Sequence, residues 1–145
     1  MACARSCTLE GSGGAELAAE LGAVSADHLG AVSEAGIEAI ARAGTVATLL
    51  PATLFFLGKK SYAPARALLD AGATLALASD FNPGSSPTPN LVFAMTAACS
   101  QMGVTPAESL RAATAGGAAA LALGDGRGTL RAGAPADLAL WRVQS

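Results

Sequence analysis

His28 and Asp80 are the two side chains of this sequence best placed to do chemistry. Asp80 opens the stretch Ser79-Asp80-Phe81-Asn82-Pro83-Gly84-Ser85-Ser86-Pro87-Thr88. The apolar run Thr74-Leu75-Ala76-Leu77-Ala78 precedes it and reads as a buried parallel strand. A carboxylate at such a strand end stands where barrel enzymes place metal ligands and catalytic groups. His28, the one histidine of the chain, follows another short apolar segment, Ala23 to Ala26. A plainer reading stands beside this one. Asp, Asn, Ser, Pro and Gly are ordinary turn residues, and Asp27-His28 could simply cap the next helix.

The elements that must position these groups read as strand–helix units. A helix is expected over Gly14 to Leu21, and then the strand Ala23–Ala26. Ser33 reads as the N-cap of a helix from Glu34 to Arg42, which Gly44 ends. The strand Thr45–Leu50 is expected to stop at Pro51, with a loop through Phe55, Phe56, Gly58 and Tyr62. The helix Pro64–Ala71, the strand Thr74–Ser79 and a helix from Asn90 to Met102 follow. Thr105-Pro106-Ala107-Glu108 has the form of a capping box with proline at N1. An Ala-rich helix is expected over Gly117 to Leu123, and a last strand from Asp137 to Val143. Strands that alternate with helices imply a parallel sheet with crossover helices.

Composition narrows the class. The chain has 145 residues, enough for one modest domain, and 52% of them are hydrophobic. A net charge of -2 without a Lys/Arg cluster gives no electrostatic case for nucleic acid or an anionic membrane. No apolar run approaches bilayer length, and Met1 to Gly14 lacks a signal-peptide core. Three cysteines in so hydrophobic a chain do not suggest a disulfide framework, and a reducing cytoplasm fits. Cys99 reads as a small apolar group inside a helix, and Trp141 and the Phe55-Phe56 pair as packing groups.

Several motifs together resemble a known family. Gly128-x-Leu130-x-x-Gly133-x-x-Ala136-Asp137-Leu138-x-Leu140-Trp141 is similar to the C-terminal signature of the amidohydrolase superfamily. Gly13-Gly14-Ala15-Glu16-Leu17-Ala18, Val24-Ser25-Ala26-Asp27-His28-Leu29, Thr48-Leu49-Leu50-Pro51 and the Asp80 loop resemble, within it, the imidazolonepropionases. The resemblance runs from about Gly13 to Val143. It implies hydrolysis of 4-imidazolone-5-propanoate to N-formimino-L-glutamate in histidine degradation, a small-molecule substrate, and one divalent metal, zinc or iron. It allows a homodimer for the complete enzyme. The implied fold is α/β, a partial (β/α)8 barrel of the last three to four units over residues 13–124. Residues 125–145 would start a β-sandwich, and residues 1–12 would be divergent or truncated.

Carried over position by position, the resemblance makes Asp80 the metal-binding aspartate, which also takes a proton from the attacking water. His28 becomes the histidine that polarises the substrate carbonyl and moves protons. Asn82, Gly84 and Ser85 match positions that contact the polar end of the substrate.

The family's His-x-His pair has no counterpart here. Its next histidine ligand would fall at Arg5 and its acidic neighbour at Thr8, and residues 1–12 do not read as its strand. One carboxylate and one histidine cannot make a catalytic zinc site of three protein ligands. The expectation is therefore an incomplete chain that does not retain the metal or hydrolyse the substrate by itself. A non-catalytic half-barrel, an interaction module and another cyclic-amide amidohydrolase stay open as alternatives.

Overall fold

A computed structural model describes residues 13–142 and the backbone of Ser6–Leu9. Four short strands, β1 (Ser6–Leu9), β2 (Ser25–His28), β3 (Val46–Leu49) and β4 (Leu75–Leu77), pair in chain order. Every pairing is parallel, with Ser6 opposite Ser25, Ser25 opposite Val46, and Ala47 opposite Leu75. Between and after them run α1 (Gly14–Glu20), α2 (Glu34–Ala43), α3 (Pro51–Phe56), α4 (Ala65–Asp70) and α5 (Leu91–Gln101). The chain then continues through α6 (Pro106–Arg111), a π-helical turn at Ala112–Gly116, and α7 (Gly117–Ala120).

Strand alternation assigns the two faces of the sheet. Ala26, Ala47, Leu49, Leu75 and Leu77 join Ile37, Ile40, Leu68, Ala98 and Met102 of the helices in one apolar core. Ser25, Asp27, Thr48 and Ala76 line the opposite side, where a hollow of about 590 Å³ lies under α7 and the segment around Arg127. Its floor is polar and its roof is made of small residues such as Ala113 and Gly117.

Three structural expectations need correction. Ser6–Leu9 is a strand, although its sequence carries no apolar run; parallel pairing with β2 supplies what local pattern does not. Pro51 does not end the structure after β3 but opens α3 at its first turn, where a missing N–H loses nothing. The expected strand Asp137–Val143 is not formed over residues 137–142, and Val143 lies outside the described residues. A strand needs a neighbour for its N–H and C=O groups, and none is beside this segment among the described residues. Trp141, read as a packing group, is accordingly 70% exposed.

Helix ends are set by the signals read in the sequence. Ser33 Oγ accepts from the Gly36 N–H, and the Thr105–Glu108 capping box is complete. Glu108 also receives Arg66 of α4 at 3.0 Å, tying α4 to α6. The Arg66 hydrogen bond, helped by those from Thr105, holds the Glu108 carboxyl down at about 2. Cys99 is half-buried in α5.

Four helices end in the same motif. The N–H of the C″ residue reaches back to the C3 carbonyl, and the C′ residue is left-handed. Gly22, Gly58 and Gly72 fill that C′ position after α1, α3 and α4, but after α7 it is Ala122, at φ 55°. A Cβ in that conformation costs about 1 kcal/mol, and Ala122 is exposed, so nothing offsets the loss. Ala122→Gly should therefore raise the stability of the chain by about 0.5–1 kcal/mol. Urea denaturation followed by circular dichroism measures it; an unchanged or lower midpoint would contradict this account of the helix end.

Candidate functional site

His28 and Asp80 stand at the same end of the sheet. His28 is the last residue of β2, and Asp80 lies three residues beyond β4, so both sit at the carboxyl ends of parallel strands. The strand β3 separates them in the sheet, which sets the two strand axes about 10 Å apart. Both have left-handed backbones, His28 at φ 70° and Asp80 at φ 50°, and Leu29 follows His28 at φ 57°. Backbone of this kind in residues other than glycine persists only where the surroundings hold it. Leu29 is anchored in the apolar core, 3% exposed, and burial of its side chain supplies that hold.

The loop after β4 is built by its own side chains. Asn82 Nδ2 donates to the Asp80 carbonyl at 2.7 Å and to Ser85 Oγ at 3.0 Å. Asn82 Oδ1 accepts from the N–H groups of Gly84 and Ser85 at 2.9 and 2.8 Å. Asn82 and Ser86 also form an isolated antiparallel bridge. Ser86, fully buried, donates its hydroxyl to the Ser79 carbonyl at 2.6 Å. The N–H groups of Gly84 and Ser85 thus both donate to the Asn82 amide oxygen. Asn82 organises the loop from inside.

The Asp80 side chain points to the start of α3. Thr53 Oγ1 donates to Asp80 Oδ2 at 2.7 Å. Nothing local in the sequence marks Thr53, because its partner lies 27 residues away. His28 lines a separate hollow of about 290 Å³ with Leu50, Leu54, Lys59 and Ser61. Neither Asp80 nor Asn82 lines that hollow.

A divalent metal is not accommodated by these residues alone. No three His, Cys, Asp or Glu side chains converge among the described residues. Asp80 already shares one oxygen with Thr53, and Arg5 lies outside the described residues. A catalytic zinc site takes three protein ligands. The donors among the described residues do not fit that requirement.

The amidohydrolase family model matches residues 10–144. The chain belongs to the amidohydrolase family. It is 52% identical over 131 residues to an imidazolonepropionase of Bacillus velezensis, a match that takes in 90% of this chain. An imidazolonepropionase of Bacillus cytotoxicus is 51% identical over 129 residues, 89% of this chain. The chain spans about 30% of the length of these relatives, 31% of the first and 30% of the second. Among solved structures, an adenosine deaminase from Xanthomonas campestris with bound zinc superposes with a TM-score of 0.69 at 30% identity. That match covers 78% of this chain and 27% of the other. An uncharacterized metal-dependent hydrolase from Pyrococcus furiosus gives a TM-score of 0.64 at 18% identity, over 86% of this chain and 30% of its own, and shows the fold alone. His28 and Asp80 share the carboxyl end of the parallel strands. Among the described residues no helix is long and apolar enough to cross a membrane.

Proposed function

We propose that this chain forms the last units of a (β/α)8 barrel that hydrolyses 4-imidazolone-5-propanoate to N-formimino-L-glutamate. The observation that carries this reading is the identity of 52% over 131 residues to an imidazolonepropionase. The four parallel strands in chain order support the partial barrel, since consecutive neighbouring pairs are how such a barrel is assembled. Residues 125–142 would then lead away toward a small β-sandwich, which would give Asp137–Arg142 the neighbour it lacks here.

In the reaction, water attacks the ring carbonyl carbon. The Asp80 carboxylate accepts a proton from that water, and His28 stabilises the oxygen that becomes negative. The ring C–N bond then breaks, and the departing nitrogen takes the proton. Asn82, with Gly84 and Ser85, keeps the Asp80 loop in place. The divalent metal of the complete site, zinc or iron, would need ligands beyond the described residues, among which no three His, Cys, Asp or Glu side chains converge.

The test is an assay of ring opening with the purified chain alone and after co-expression with the part of the Bacillus velezensis relative that this chain does not match. The chain alone should be silent, and the pair should turn over substrate. Turnover by the chain alone would overturn the incomplete site. A silent pair would overturn the assigned reaction.

A further inference from the structure

We propose that Thr53 is the positioning residue for the Asp80 carboxylate, fixing one oxygen so that the other is presented to the reacting water. The inference rests on the reading of Asp80 as the proton acceptor.

Thr53 is the third residue of α3 and is 4% exposed. Its hydroxyl reaches Asp80 Oδ2 across 27 residues of sequence, at the 2.7 Å of a strong hydroxyl–carboxylate bond. The contact follows from topology. α3 begins two residues after β3, and β3 is the sheet neighbour of β4, so the start of α3 abuts the end of β4. A β-branched side chain buried at a helix start has little rotamer freedom, which makes it a stiff support. Asp80 is restrained from its other end too, where Asn82 Nδ2 holds its carbonyl at 2.7 Å. The carboxylate of a left-handed residue is therefore clamped through both backbone and side chain. A proton acceptor must lie within hydrogen-bond reach of the proton it takes, and misplacement of about 1 Å lowers rates by about 100-fold.

Thr53→Val keeps the shape and removes the donor, and Thr53→Ser keeps the donor. In the co-expressed pair, Thr53→Val should lower kcat about 10- to 100-fold. KM should stay within about threefold, since the hydroxyl touches the carboxylate and not the substrate. Thr53→Ser should recover kcat to within about threefold of the parent, a rescue that simple loss of packing would not give. In the chain alone, Thr53→Val, Asp80→Asn and the double variant form a cycle whose unfolding equilibria should couple by about tenfold. Additive effects in that cycle, or Thr53→Ser as slow as Thr53→Val, would overturn the role of Thr53. An Asp80→Asn pair with unchanged turnover would instead overturn the reading of Asp80, and a Thr53→Val pair at full rate beside an inactive Asp80→Asn pair would leave Asp80 standing and remove Thr53.

Discussion

Gly116→Ala should destabilise the chain by about 3 kcal/mol, while Gly117→Ala, one residue further on, should stabilise it by about 0.4–1 kcal/mol. Both glycines have ordinary helical backbone angles, with φ near -60°. On helix propensity alone, both substitutions would help by about 1 kcal/mol. The surroundings separate them. A Cβ on Gly116 would lie 1.9 Å from the Leu75 carbonyl oxygen and 3.3 Å from Ala76 Cα. A Cβ on Gly117 would meet nothing within 4 Å. On either side of β4, Thr74 and Ala78 hydrogen-bond to β3, so the intervening Leu75 carbonyl points to the other edge of the strand. The π-helical turn lies against that edge, and only glycine lets the two backbones meet. A flexible side chain could swing aside, but a strand backbone cannot, which puts the effect at the upper end of what overpacking produces. Thermal and urea unfolding of the two variants beside the parent measures the difference. Equal midpoints would show that the turn does not seat on β4.

This contact also explains how much of the fold the sequence discloses. The runs Thr45–Leu50, between Gly44 and Pro51, and Thr74–Ser79, just after Gly72-Ala73, are largely apolar, so their strand character is local information. Ser33, Thr105 and Glu108 announce helix starts because capping needs only a few neighbouring residues. Ser6–Leu9 has no such pattern, and its strand exists through pairing with β2. The segment Leu138–Trp141 is the opposite case. Its apolar run suits a strand, yet Leu140 is 99% exposed because no sheet stands beside it among the described residues. Local preference offers a conformation, and partners decide whether it is adopted.

The site divides along the same line. The strand-end position of Asp80 is legible from the apolar run before it, whereas His28, expected after a strand Ala23–Ala26, is itself the last residue of β2, Ser25–His28. That the Asn82 amide turns inward, to the N–H groups of Gly84 and Ser85, is a matter of loop closure that residue types do not fix. Thr53 is invisible in the sequence, since its partner is 27 residues away and Pro51 reads as readily as a strand stop as a helix start. That no His-x-His pair is present, by contrast, follows from the single histidine, and among the described residues no three His, Cys, Asp or Glu side chains gather to replace it.

In the co-expressed pair, Asp80→Ala should reduce ring-opening kcat by about 10³- to 10⁴-fold, and His28→Ala by about 10²- to 10⁴-fold. On the proposed reading, removal of Asp80 takes away the acceptor of the attacking water's proton, and the buried Thr53 hydroxyl loses its partner; removal of His28 takes away the proposed donor to the developing oxyanion. The two losses should not multiply, because groups that act on one transition state fail as a unit. The double variant should therefore stand within about tenfold of Asp80→Ala alone. Assembly with the complementary part should survive in all three variants, since His28 and Asp80 lie at strand ends and outside the apolar core formed by residues such as Ala26, Leu49 and Leu77. Co-purification of the two parts checks assembly, and initial rates of 4-imidazolone-5-propanoate loss check chemistry. A pair that assembles and retains a parental rate with Asp80→Ala would remove the carboxylate from the mechanism. Strictly multiplicative losses would show that His28 and Asp80 serve separate steps, with His28 working at the ring nitrogen rather than at the carbonyl that Asp80 helps water to attack.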